Sequence, residues 1–193
     1  DLTATLIEKG YNVYLDWKSV LKTSSDKFVG ILPMGDVHRR NKSSNTTAGA
    51  ADGAEVCLAA KLAAASEENS DTTHLSEPTV YLEKATGKAL EVLSRNNQQG
   101  FFLMIESAII DGYGHNNDSE GMIEEMKEFD CTLRQLVAYV NQHPETLLVV
   151  TADHETGGTG VTYNSFDVGN PTPLKLSFST KGHTGTVVPI FAY

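Results

Sequence analysis

Three polar clusters sit beside apolar runs in this chain. The first, Glu106-Ser107-Ala108-Ile109-Ile110-Asp111-Gly112-Tyr113-Gly114-His115, follows Phe101–Ile105. The second, Asp153-His154-Glu155-Thr156-Gly157-Gly158, follows Leu147–Thr151. The third, Gly182-His183-Thr184-Gly185, precedes Val187–Phe191. Carboxylate oxygen and neutral imidazole nitrogen suit zinc, and a carboxylate with waters suits magnesium. Glycines beside such groups let the backbone turn tightly and approach closely. Glu106, Asp111, His115, Asp153, His154 and His183 are enough donors for more than one ion. Two ions roughly 4 Å apart stabilise both the attacking and the leaving oxygen of a phosphoryl displacement.

Each cluster alone also has an ordinary reading. Asp111 and His115 taken as a pair read as a helix cap and a surface residue. Asp153-His154 reads as a strand end, and Glu155 as a supporting or solvated carboxylate. His38, His74 and His143 lie in polar surroundings and keep that ordinary reading; His143, late in a helix, favours the negative end of its dipole. Asp118-Ser119 looks like a nucleophile pair, but capping of the following helix explains it. All three clusters occurring in order outweigh the separate explanations.

Other chemistries are excluded. The chain has no phosphate loop, no Gly-x-Ser-x-Gly elbow and no His-Glu-x-x-His. Cys57 and Cys131 allow one disulfide and prove none; their number and spacing exclude a Cys-x-x-Cys redox pair or a cysteine zinc site. With 15 Lys and Arg against 25 Asp and Glu, net charge is −10, which argues against nucleic acid or an anionic membrane as the main partner. No apolar run approaches the roughly 20 residues that span a bilayer. The opening Asp1-Leu2-Thr3-Ala4 is not a signal peptide, so the expectation is a mature, trimmed or partial chain.

The elements that must position the clusters alternate. Asn12–Leu15, Val29–Leu32, Phe101–Ile105, Leu147–Thr151 and Val187–Phe191 read as strands, the last at an edge because of Pro189. Runs apolar throughout suit strands covered on both faces, as in parallel sheets. Helical spacing appears at 2–9, 16–23 (with Asp16 as cap) and 78–95. The clearest helix runs from Asp118, where Met122, Met126, Phe129, Leu133, Leu136, Val137 and Val140 share a face and Cys131 falls opposite. The expected fold is therefore α/β, a mostly parallel sheet flanked by helices. Residues 1–193 are expected to form one domain with a surface excursion around 41–76, including an Ala-rich helix over 53–65, and an irregular stretch at 157–182. In open α/β sheets ligands bind beyond the carboxyl ends of strands, where two of the clusters fall.

Phe101-Phe102-Leu103-Met104-Ile105-Glu106, Asp111-x-x-x-His115, Thr151-Ala152-Asp153-His154-Glu155-Thr156-Gly157 and Gly182-His183-Thr184-Gly185 together resemble alkaline phosphatase. The likeness extends weakly to Gly10-Tyr11 and Ile31–Asp36. It covers nearly all of the chain but only about the C-terminal half of that family's catalytic domain. The resemblance implies Asp111, His115 and His183 on a first zinc, Asp153 and His154 on a second, and Glu106 on magnesium. It also implies a serine nucleophile between the zincs. No segment here matches that serine, and Arg39, Arg40, Arg95 and Arg134 sit in contexts unlike the family's phosphate-gripping arginine.

The resemblance thus implies part of a phosphomonoester hydrolase, inactive by itself, with two zinc ions (the second site incomplete), one magnesium and phosphate monoesters as substrates. A periplasmic or extracellular location follows from family habit. An incomplete domain exposes edges and apolar faces, so self-association or assembly with an N-terminal partner segment is expected. The alternatives are a non-catalytic metal-binding module of the same superfamily, or a related phosphodiesterase or phosphoglycerate mutase.

Overall fold

The computed structural model describes residues 1–32, 81–95, 97–162 and 174–193. They fall into two compact units, Asp1–Ile105 and Glu106–Tyr193. The expected excursion around 41–76, the helix over 53–65, His38, His74, Cys57, Arg39 and Arg40 lie outside the described residues.

In the first unit, helix α1 (Leu2–Glu8) starts at Asp1, whose carboxylate accepts from Thr3 N at 3.0 Å. Gly10 then takes φ +80°, a left-handed turn that glycine adopts without steric cost. Strand β1 (Asn12–Tyr14) pairs in parallel with β2 (Phe28–Gly30), Val13 opposite Val29. Asp16 caps the intervening helix α2 (Trp17–Lys22) through Ser19 N at 2.8 Å, as its sequence position predicts. Helix α3 (Tyr81–Ser94) packs on α2. Trp17 meets the Tyr81 ring edge-on at 5.6 Å, and the buried Lys88 ammonium donates to the Thr23 carbonyl at 2.7 Å. That bond offsets the cost of burying the Lys88 charge.

In the second unit, helix α4 (Ile109–Asn116) ends at Asn117, which takes the left-handed conformation at φ 55°. Asn tolerates this better than most residues. Asp118 immediately caps α5 (Ser119–Gln142), accepting from Gly121 N at 2.9 Å. The two helices therefore form a tight hairpin, with Gly121 against the Tyr113 ring. Strand β3 (Val149–Thr151) pairs antiparallel with β8 (Ile190–Ala192), β4 (Glu155–Thr156) with β7 (His183–Thr184), and β5 (Gly160–Val161) with β6 (Leu176–Ser177).

Two expectations need correction, and the mostly parallel sheet is met only in part. Among the described residues only β1–β2 is parallel, and the other three pairs are antiparallel. Side-chain pattern reports which faces are covered and carries no information on strand direction. Phe101–Ile105 forms no strand, with Phe102 and Met104 exposed. Cys131 is 2% exposed and disulfide-bonded, whereas Met126, on the stripe read from the sequence, is exposed. A covalent bridge draws its helix face inward whatever the apolar periodicity.

The α4–α5 hairpin rests on the missing side chain at Gly121. A Cβ there would fall inside the van der Waals envelope of the Tyr113 ring. Gly121→Ala is therefore expected to destabilise the fold by about 1–3 kcal/mol, as overpacking does. Urea denaturation measures this, and an unchanged midpoint would show that the ring moves aside freely.

Candidate metal centre

Helix α4 carries Asp111 and His115 four residues apart, so both side chains leave the same face. His183 comes from β7, which pairs with β4 so that Thr156 lies opposite His183. Directly after β4 the chain turns at Gly157 and Gly158, with φ of +89° and +56°. Gly157 N donates to Gly182 O at 2.9 Å, and its carbonyl accepts from Ser179 N and Thr180 N. On the other side Gly114 lets α4 approach β4: a Cβ there would lie 3.0 Å from Thr156 carbons.

The result is a close group of donor atoms. His115 Nε2 is 3.2 Å from His183 Nε2 and 3.3 Å from Asp111 Oδ2. His183 Nε2 is 3.5 Å from Asp111 Oδ1. A tetrahedral zinc with ligands at roughly 2.0–2.1 Å spaces those ligands about 3.3 Å apart. The two Asp111 edges end on different carboxylate oxygens; taking one ligand atom from each residue, all three lie within 4.8 Å of one another, close enough to share one ion with a further position open. The side chains are 40–47% exposed, so the group opens to solvent and an ion can enter.

Tautomers follow from the surrounding partners. His115 Nδ1 lies 2.5 Å from the Lys181 carbonyl. A carbonyl only accepts, so Nδ1 carries a proton, which leaves Nε2 as the nitrogen that faces Asp111 and His183. His154 stacks on His183 with ring centroids 3.6 Å apart. Its Nε2 lies 3.2 Å from Asp153 Oδ2, a second pair of donors beside the first. Five of the six residues singled out by the sequence are thus together. Glu106 is exposed and makes no hydrogen bond or ion pair among the described residues. His143 ends α5, stacked on Tyr139 at 4.2 Å and 3.6 Å from Glu145, away from this chemistry.

Two participants were not singled out from the sequence. The Lys181 carbonyl is backbone and leaves no residue-type signal. Thr156 sits inside the second cluster, and its hydroxyl donates to Asp111 Oδ1 at 2.6 Å. A hydroxyl two positions after a candidate ligand was the available clue.

A family model for alkaline phosphatase matches residues 1–175. Alkaline phosphatase 4 of Bacillus subtilis is 36% identical over 97 residues, which cover 50% of this chain and 19% of that protein. The alkaline phosphatase of Escherichia coli is 31% identical over 132 residues, 61% of this chain and 27% of that protein. Among solved structures, a mutant of TAB5 alkaline phosphatase with Mg bound in its M3 site superposes with TM-score 0.52 at 37% identity, covering 59% of this chain and 34% of that one. A cold-active alkaline phosphatase from a Shewanella species has TM-score 0.65 at 22% identity, covering 100% of this chain and 56% of that one, a likeness of fold alone. The chain therefore spans about half, or less, of each relative's length.

Glu155 is not among the converging donors; it holds the turn that makes them converge. Its carboxylate accepts from Thr159 N at 2.8 Å, from Gly158 N at 3.2 Å and from the Thr184 hydroxyl. The Thr159 N–H, followed by the Thr184 hydroxyl, holds its pKa below the ordinary 4.5. A depressed folded pKa stabilises the fold above the unfolded value and stops doing so as pH falls through the folded one. Glu155→Gln is expected to lower the melting temperature at neutral pH and to shrink its decrease on acidification below the ordinary carboxylate range. An equal acid-induced decrease in both proteins would remove Glu155 from the acid sensitivity of this turn.

Proposed function

The chain belongs to the alkaline phosphatase family, and from that premise we propose that it is the metal-holding part of a phosphomonoester hydrolase. Asp111, His115 and His183 hold a first zinc, Asp153 and His154 contribute to a second, and Glu106 contributes to a magnesium site. The observation that carries this reading is the set of 3.2–3.5 Å edges among the first three residues. Bound zinc would supply Lewis-acid polarisation of phosphate-ester oxygens. The protein's own groups prepare for it. The Lys181 carbonyl keeps the His115 proton on Nδ1, Thr156 orients the Asp111 carboxylate, and the β4–β7 pairing holds His183 opposite.

The serine nucleophile, the phosphate-gripping arginine and the remaining ligands belong to a part of the family domain outside this chain. The mostly parallel sheet read from the sequence belongs to that completed domain. The β3–β8 ribbon supports this: Leu147, Val149, Ile190 and Phe191 are all exposed, and a two-stranded sheet is marginal alone. Such a ribbon suits assembly with an N-terminal partner segment or with a second copy. The disulfide at Cys131 favours an oxidising compartment, in keeping with a periplasmic or extracellular location. None of the described helices is long and apolar enough to cross a membrane.

The expected outcome for the purified chain is weak, incomplete zinc uptake without turnover of p-nitrophenyl phosphate. His115→Ala is expected to abolish what zinc uptake there is. Competition with a chromogenic chelator measures the first and phosphate release the second. Failure to bind zinc would remove the metal reading, and robust zinc-dependent hydrolysis by the chain alone would place a nucleophile within it. The longer gene product is expected to hydrolyse phosphate monoesters; a metal-loaded but inactive product would favour the non-catalytic module.

A further inference from the structure

Helix α4 carries Asp111 and His115, while the stretch leading into β7 carries the Lys181 carbonyl and His183. One side chain that is not itself a donor joins the two segments. The amide of Asn117, just past α4, sets one terminal atom 2.8 Å from Thr180 O and 3.0 Å from Gly114 O. Carbonyls only accept, so that atom is the amide nitrogen, and its two N–H groups serve one carbonyl each. An aspartate of the same shape would turn an oxygen on these carbonyls, and a glycine would reach neither. The backbone makes the side chain telling. Asn117 is the one non-glycine residue with positive φ among the described residues. Glycine serves such a helix end at the lowest steric cost. A helix stop alone would therefore favour glycine, and Asn at this place points to a contact that glycine cannot make. The residue is exposed, so that contact is not core packing.

We propose that Asn117 is a positioning residue: its amide clamps residues 179–182 to the end of α4 and so sets His183 and the Lys181 carbonyl against Asp111 and His115. The inference rests on the metal reading of those donors. The clamp completes a second hold from the β4 side. Gly157 O accepts from Ser179 N at 3.0 Å and Thr180 N at 3.1 Å, and Gly157 N donates to Gly182 O at 2.9 Å. Gly157 thus ties the stretch to the turn after β4, and Asn117 ties it to α4. The anchor on α4 is firm, because Gly114 O also accepts from Asn117 N at 3.1 Å. Without the amide, the hold on β4 remains, and His115 itself must keep the stretch in place through its contact with Lys181 O. The 3.2 Å spacing of His115 and His183 is then less closely fixed.

The test compares the whole chain with Asn117→Gly and Asn117→Asp. Both substitutions suit a left-handed backbone, and neither opens a cavity at an exposed position. Amide hydrogen exchange on metal-free protein reads the stretch, and chelator competition reads zinc affinity. Both variants are expected to exchange faster than wild type at Gly157, Ser179 and Thr180, with the α5 amides unchanged. Both are expected to bind zinc roughly tenfold more weakly, the lower end of what losing an outer-shell partner does. A helix stop alone predicts no such loss in Asn117→Gly, since glycine suits that conformation at least as well. Unchanged exchange in the stretch would overturn the clamp, and faster exchange with unchanged zinc affinity would overturn its positioning role. Acceleration spread along α5 would mark a general loss of stability and overturn the inference as well. A wild type that takes up no zinc, with faster exchange confined to the stretch in both variants, would support the clamp and sink the metal reading instead.

Discussion

Lone pairs that face one another at hydrogen-bond distance repel unless a proton or a cation lies between them. The second unit brings two imidazole Nε2 atoms to 3.2 Å, with the Asp111 carboxylate within 3.3–3.5 Å of both. The Lys181 carbonyl has already claimed the His115 proton at Nδ1. One divalent cation would satisfy the donor atoms that remain, which lie within 4.8 Å of one another. Most of the local architecture serves that convergence: an i, i+4 helix pair, a two-residue ladder and a reversal through two glycines with positive φ.

Holding such a group is a packing problem before it is a chemical one. α4 comes close to β4 only because position 114 lacks a Cβ, and α5 folds back on α4 only because position 121 does. Glu155 then fastens the reversal by accepting two backbone N–H groups and the Thr184 hydroxyl. Adjacent residues of one motif divide the labour: Asp153 and His154 pair with each other, Glu155 holds the turn, and Thr156 links to Asp111.

Charge works at two ranges. A net charge of −10 repels a phosphate ester at a distance, whereas divalent ions, once bound, would reverse the sign locally. The proposed activity therefore depends on metal for electrostatic attraction as well as for bond polarisation. The exposed apolar residues of β3 and β8 leave that ribbon bare on its outer positions, which the proposed completed domain would cover.

The residue types and order of the three clusters determined the class of chemistry, because imidazoles and carboxylates beside glycines are what borderline cations require. Local capping was legible too: Asp16 and Asp118 begin helices where their side chains reach backbone N–H groups a few residues ahead. Only the tertiary structure decided which donors meet. His115 and His183 are 68 residues apart in sequence, and only the β4–β7 ladder with the α4–β4 contact makes them neighbours. It also decided strand direction, the burial of Cys131 and the contact of Thr156 with both Asp111 and His154. These depend on pairing partners, a covalent bridge and angles between elements, none of which a one-dimensional pattern of polar and apolar residues contains.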